Sequence, residues 1–493
     1  MNAVQESFES LSYPYYVHPL THPSRLAAVG TVLGFAPVAP QQARILDIGC
    51  GSASSLLAMA ERLPQGQLVG IDFSAPDILS AQKLAGEAGL TNVSLQQADL
   101  LTWNPSGAKF DYIIAYGLFS WVPDEVKDRL LSLISECLSP QGIACVSYAT
   151  YPGCKQPEAL RDLLKLRTDA LVSPEEKIAT AHQTLDFLDR AWKGLPHFPH
   201  TTHLRELVSR IRHKPPHSLL LDDLGVERDP CYLLQFTNWA AEHGLRYLGE
   251  SELPSMLLEN LPPASAQELA ALGLDQLETE QMIDYITNRP FRCTLLVRAE
   301  ASWQAKLDAQ ALRQLSLRSL LKPAGPIKVG AQKGVFVSEQ GAKLTLRGAL
   351  LVEFIRELSS QPTACLLFQD VLTKIQKTVG KMISEAGERQ LAEDLLSLYT
   401  KRQIESAALP FIPPATLPEY PSLTPLNRAM CRHRGIVVDA HHRAFRPKED
   451  EIAFCLQLDG SQSLMDLTSS RDRQKTGDHP LLATLNRLGC LIK

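Results

Sequence analysis

Three acidic residues, Asp47, Asp72 and Asp99, each close a short apolar run, and two glycines, Gly49 and Gly51, follow the first of them. Carboxylates in such positions accept hydrogen bonds from hydroxyl and amine groups. Asp72 stands about twenty residues past the glycine turn, where nucleotide-binding folds place an acid on a ribose. Gly49 and Gly51 let the backbone turn tightly and approach a ligand, and a helix starting behind them supplies unpaired N–H groups. Glycines alone would leave a purely structural turn open; with the acids they point to a nucleoside site. After Gly51 the chain reads Ser52, Ala53, Ser54, Ser55, so the third glycine of a dinucleotide fingerprint is missing. The chain also has no G-x-x-x-x-G-K-[ST] run for a triphosphate.

The elements that must position these groups follow from hydropathy. Strands are expected at 44–46, 68–71, 93–97, 110–115 and 142–147, with a helical Leu, Ala and Met pattern behind the glycines. Strands and helices alternate to residue 148, which argues a parallel sheet covered on both faces. Residues 156–225 read as helices with polar breaks, a helix follows at 232–242, and strand patterning returns at 244–250 and 291–298. The first domain is therefore taken as 1–302, with helical insertions at about 156–228 and 252–288. Residues 302–322 read as an amphipathic connecting helix, placing a linker at 303–326, and two small α+β units follow, 327–410 and 411–493. The first opens on a hairpin, 334–338 and 342–345, and a helix over 347–358. In the second, strands at 435–438 and 443–446 precede a helix at 481–488.

A length of 493 residues suits two to four domains. The 45% hydrophobic and 21% charged content is that of a globular chain, and a net charge of −5 gives no global pull toward nucleic acid or anionic membrane. Ten cysteines without a C-x-x-C pair read as reduced core residues, which excludes a disulfide or zinc framework. The N-terminus has neither the basic nor the apolar region of a signal peptide, and no apolar run has the length of a membrane span. The expected location is cytoplasmic.

Acid, two glycines, acid and a third acid on successive strands resemble the S-adenosylmethionine (AdoMet) site of class I methyltransferases. Longer strings sharpen the likeness: SYPYYVHPLTHPSRLAAVGTVLG (12–34), DYIIAYGLFSWVP (111–123), VSYATYPG (146–153), HGLRYLGE (243–250) and NRPFRCTLLV (288–297), in this order. They resemble bacterial class I methyltransferases that carry a methyltransferase regulatory region and a C-terminal winged-helix-like domain. That group includes rickettsial lysine methyltransferases of outer-membrane protein. The resemblance implies a Rossmann-like α/β sheet with helical insertions, followed by two winged-helix-like domains. It places Asp47 near the amino-acid end of AdoMet, Gly49 and Gly51 under it, and Asp72 on the ribose. Asp99 would meet the adenine amino group with Leu100 packing nearby, and Phe73 and Tyr116 join the cofactor site. The chain departs from the family pattern at Ser52 and Ser55, at Tyr116 in place of His, and at Ala149 in place of Asn.

Methyl transfer from a sulfonium is an in-line displacement, so the protein must align, desolvate and deprotonate the acceptor. An apolar, aromatic pocket lowers the pKa of a lysine ammonium, and ring faces attract the cation. Tyr116, Phe119 and Trp121 follow the fourth strand, and Tyr148 and Tyr151 the fifth. Tyr13, Tyr15 and Tyr16 precede the first helix as a possible lid. The catalytic set expected is Tyr116, Trp121 and Tyr16, with Tyr116 or Tyr16 as base through a water. No [DN]-P-P-[FYW] follows the fourth strand, which argues against planar amide or base nitrogens as acceptor. His182, His197, His200, His203, His213 and His217 never reach ligand spacing with nearby Cys or Glu, so no metal is expected. Residues 428–448 are basic but diluted by acids, and the resemblance makes them a protein-docking surface more than a nucleic-acid one.

The chain thus reads as an AdoMet-dependent methyltransferase that N-methylates lysine side chains of a protein or peptide, without nucleic acid or a membrane span, and as a possible homodimer. Two alternatives are a small-molecule or peptide natural-product methyltransferase, and an inactive AdoMet-binding scaffold.

Overall fold

The apolar runs ended by acids and glycines become seven strands: β1 (Arg44–Ile48), β2 (Gln67–Asp72), β3 (Val93–Gln97), β4 (Phe110–Ala115), β5 (Leu138–Ala149), β6 (Leu245–Glu250) and β7 (Phe291–Arg298). The structure, a computed structural model, describes residues 15–195, 201–225, 228–303, 305–380, 382–468 and 480–492. The strands form one sheet in the order β3-β2-β1-β4-β5-β7-β6. β1 to β5 are parallel, and β7 runs antiparallel to both its neighbours. Successive residues point to opposite faces. Ile45, Tyr112, Ile114 and Cys145 enter one core, while Leu46, Ile113, Ala115, Ala144 and Val146 enter the other. Burial on both faces fixes the register, because a slip of one residue would exchange the two sets.

Helices α1 (Pro23–Val32), α2 (Ser54–Arg62) and α3 (Ala75–Glu87) cover the first face through Leu26, Leu56, Leu57 and Ile78. Helix α4 (Asp124–Cys137) covers the second with the Leu233–Glu242 helix, through Leu130, Ile134 and Phe236. Strand order reverses between β1 and β4, and there the loops after the two strands part and leave a crevice at their carboxyl ends. Gly153 in the TYPG string has a packing reason: a Cβ there would stand 2.3 Å from the carbonyl of Arg289, so only glycine lets these chain segments cross.

The first insertion folds as the helices Lys155–Thr168, Pro174–Lys193 and Thr201–Arg212 around their own apolar core, Leu164, Ala181, Leu185, Val208 and Leu219. The second holds the helices Pro263–Ala271 and Gln276–Thr287 between β6 and β7. Beyond β7 the described residues do not form the expected connecting helix. In its place stand a short 3₁₀ turn, Ala309–Gln314, and a strand, Ser316–Ser319. That strand is buried along its whole length between Leu366–Leu367 and Ile404–Ala407, both antiparallel to it. Over so few residues an apolar run has no periodicity that separates a buried strand from a helix, and tertiary pairing decides.

The hairpin Lys333–Val337 and Lys343–Arg347 leads into the helices Ala349–Ser360, Phe368–Val379 and Glu385–Thr400. Their apolar sides join the α1 face of the sheet in one continuous core. Ser24 also anchors this join, its carbonyl accepting from Ala408 N–H and its Oγ from Leu409 N–H, both at 2.9 Å. The last unit comprises the Pro425–Arg434 helix, the pair Val437–Val438 and Ala444–Phe445, the Glu449–Gln457 and Pro480–Arg487 helices, and Leu491–Ile492 closing on Ser422–Leu423. It has a separate core of Cys431, Val437, Phe454, Leu458 and Leu485. No described helix is long and apolar enough to cross a membrane.

Candidate active site at the carboxyl ends of the sheet

The glycine turn begins where β1 ends. Gly49 and Gly51 have φ of +72° and +52°, a region that favours glycine. The amides of Gly49 and Cys50 both donate to the Ile71 carbonyl, at 2.9 and 3.1 Å, so the turn folds back onto β2. Asp72 completes the tie: its Oδ2 accepts from Gly51 N–H at 2.7 Å and its Oδ1 from Ser74 N–H at 2.9 Å. Each carboxylate oxygen carries a second lone pair, so Asp72 can hold the turn and still accept from a hydroxyl.

Around this turn lies a cavity of about 740 Å³. Every site residue singled out in the sequence lines it: Asp47, Gly49, Gly51, Asp72, Phe73, Asp99, Leu100, Tyr116, Trp121 and Tyr16. Other aromatic candidates do not. Phe119 and Tyr148 are buried in the second core, where Tyr148 stacks on Phe236 at 4.2 Å and bonds Thr294 Oγ1 at 3.1 Å. Tyr151 faces Tyr232 at 5.3 Å, and Tyr15 lies under the guanidinium of Arg434 at 4.8 Å. Side chains at strand ends alternate between cavity and core, which string matching does not resolve. Tyr13, His197 and His200 lie outside the described residues. His182, His203, His213 and His217 sit on or beside the insertion helices, away from the cavity lining.

Two hydroxyls explain the most distinctive strings. Ser147 Oγ accepts from Gly117 N–H at 2.7 Å, and Ser120 Oγ from Ala149 N–H at 2.9 Å. They lace the loop after β4 to the end of β5 and so fix the wall that carries Tyr116 and Trp121.

Sequence reasoning missed His18, Phe291, Lys214 and Arg228, all of which line the cavity. The His18 ring stacks on Tyr116 with centroids 3.9 Å apart, and Phe291 meets Tyr116 edge-on at 5.7 Å. Burial lowers the His18 pKa to about 4 and pushes the Tyr116 phenol well up. Both groups are therefore neutral near pH 7, and Tyr116 does not match the expected role of an anionic base. A histidine beside three tyrosines in YPYYVH was the available signal; its stacking partner is 98 positions on and leaves no local trace.

The acidic part of the cavity lining suits a cation. Asp47, Asp72, Asp77 and Asp99 share one cavity. Burial raises the Asp47 pKa to about 7, with a further push from the Asp72 charge, and burial also raises Asp72. Asp99 is exposed and accepts from Leu101 N–H at 2.9 Å, which shapes the turn after β3. AdoMet brings a sulfonium, an ammonium and a ribose diol to such a surface, so the residues present fit it. The two cations of the cavity wall are already engaged: Lys214 with Asp223 at 2.6 Å, and Arg228 with Glu158 at 3.2 Å.

Comparison with known proteins gives concordant results. The family model of a methyltransferase domain matches residues 45–142, and that of a predicted methyltransferase regulatory domain matches residues 215–298. An uncharacterised protein of Rickettsia prowazekii is 29% identical over 323 residues, which span 65% of this chain and 58% of that protein. A second from the same organism is 31% identical over 242 residues, spanning 49% of this chain and 96% of that protein. PKMT2 of Rickettsia typhi, solved in complex with AdoHcy, has a TM-score of 0.84 to this chain. It is 24% identical, across 98% of this chain and 100% of its own.

Proposed function

Because this chain belongs to the class I AdoMet-dependent methyltransferases that join a methyltransferase domain to a regulatory domain, we propose that it methylates the side-chain amine of lysine in a protein substrate. The observation that carries this reading is the aromatic part of the cavity lining. Tyr16, His18, Tyr116, Trp121 and Phe291 supply ring faces, and the two cations beside them, Lys214 and Arg228, are paired with acids. A carboxylate acceptor would need an unpaired cation to receive it, whereas an amine needs rings and low polarity.

AdoMet supplies the electrophilic methyl; the chain's own residues align and dry the acceptor. With the cofactor bound, Asp72 would receive the ribose hydroxyls, Asp47 the ammonium, and Asp99 with Leu100 the adenine. On the acceptor side, desolvation among Tyr116, Trp121 and Phe291 favours the neutral amine. Neutral His18 adds no charge to repel a lysine ammonium on its way in. The released proton leaves through water, since the Tyr116 phenol holds its own.

The test is transfer from deuteriomethyl AdoMet to a bacterial lysate, with tandem mass spectrometry of the protein and small-molecule fractions. Deuteriomethyl on lysine Nε supports the proposal. Label confined to small molecules, or to carboxyl or hydroxyl groups, contradicts it.

A further inference from the structure

The glycine turn of the methyltransferase domain is held from outside by the last unit of the chain. Arg434, the final residue of the Pro425–Arg434 helix, is 5% exposed. Its Nη2 donates to the Ser52 carbonyl at 2.8 Å and its Nη1 to Ser54 Oγ at 2.5 Å. His442, 4% exposed, lies in the turn between Val437–Val438 and Ala444–Phe445 and places Nε2 2.9 Å from Ser55 Oγ. Ser55 Oγ also accepts from His18 N–H at 3.4 Å, and the His18 ring stacks on Tyr116. Farther along α2, Glu61 accepts from Thr424 Oγ1 at 2.9 Å and from Leu426 N–H at 3.0 Å, while Arg62 donates to the Gly489 carbonyl.

The turn needs such support. Ala53, the residue before α2, sits at φ +54° and gives the helix no side-chain cap. A left-handed non-glycine residue persists only when its surroundings over-determine it. A guanidinium at a helix N-terminus opposes the helix dipole, so Arg434 is misplaced as a cap for α2. It is well placed as a brace for the loop, because it grips a carbonyl and a hydroxyl on either side of Ala53.

We propose that Arg434 and His442 are positioning residues of the AdoMet site: the last unit of the chain fixes the glycine turn in its ligand-ready shape, so methyl-donor affinity depends on a contact made across about 380 residues of sequence. Neither residue lines the cavity, so both act through Ser52, Ser54 and Ser55, which do. The proposal rests on assignment of the turn to AdoMet and is independent of what the acceptor is.

The test uses the full chain. AdoMet affinity is measured by titration calorimetry well below the unfolding temperature, and unfolding of the ligand-free protein is followed separately. Arg434→Gln is expected to weaken AdoMet at least about tenfold, and Arg434→Lys, which keeps one donor for the Ser52 carbonyl, to recover part of that loss. A purely structural role would lower the unfolding temperature and leave affinity within about twofold; that result overturns the proposal. Asp72→Asn serves as the control: if it binds as the wild type does, the donor site itself is misassigned, and the proposal falls with it. Should Arg434→Gln fail to fold, hydrogen exchange of the wild type decides. AdoMet should slow exchange in residues 434–444 as well as 49–56, and protection confined to 49–56 overturns the proposal.

Discussion

Asp47 should make AdoMet binding pH-dependent, by an amount its pKa sets. Burial, assisted by the Asp72 charge, holds its carboxyl at about 7 in the ligand-free protein. Its ionised fraction then rises from about 3% at pH 5.5 to about half at pH 7. If the ionised form receives the AdoMet ammonium, affinity should grow roughly fifteenfold over that interval, about 1.6 kcal/mol, with a proton released on binding. Burial holds His18 and His22 at about 4, so neither titrates in this window. The sign for the unliganded fold is opposite. Unfolded Asp47 ionises first, so this residue costs the fold stability as pH rises from about 4 to 7, and the bound cation offsets that cost. Titration calorimetry at several pH values, in two buffers of different ionisation enthalpy, reads both affinity and proton release. Asp47→Asn should lose the acid limb and release no proton. Wild-type affinity constant within about twofold between pH 5.5 and 7, or an acid limb that survives in Asp47→Asn, would refute the reasoning.

Other outcomes follow from the same geometry. Asp72→Ala removes the acceptor for the Gly51 and Ser74 amides as well as for a ribose, and should weaken AdoMet by ~1–3 kcal/mol in calorimetry. Tyr116→Phe should leave methyl transfer at pH 8 within a few-fold of wild type, because the phenol stays protonated; a loss of about a thousandfold would restore it as the base. Burial holds His18, His22 and His442 below their ordinary pKa, and His442 also feels His22, His18 and Arg62. Unfolded histidine binds protons first, so stability should fall as pH drops from about 6.5 to 4, by about 3 kcal/mol from His22 alone. A flat denaturant midpoint across that range would contradict it. Gly153→Ala should cost about 2 kcal/mol or more by driving a methyl into the Arg289 carbonyl; an unchanged melting temperature would show that the crossing can open.

Much of the sheet, and of the acid and glycine part of the cavity lining, was legible because its signals are local. Apolar runs closed by Asp47, Asp72 and Asp99 identify strands and their carboxyl ends at once, and the seven-stranded sheet follows them. The aromatic part of the lining was less so. Tyr116, Trp121 and Tyr16 line the cavity, whereas Phe119 and Tyr148 from the same loops are buried beneath it. One residue of offset decides which way a ring points, and sequence spacing outside regular elements does not carry that information. Residues 302–322 misled because leucines spaced as on a helix face here flank and enter a short strand, Ser316–Ser319, that is buried between two others. The contacts of Arg434 and His442 with Ser52, Ser54 and Ser55 join segments that nothing in the sequence connects.

The most direct test of the account is a crystal structure of the chain with AdoHcy bound. The ribose should lie on Asp72, the amino group beside Asp47, and the sulfur should face the rings of Tyr116, Trp121 and Phe291. A ligand seated away from the glycine turn, or one whose sulfur faces away from those rings, would contradict it.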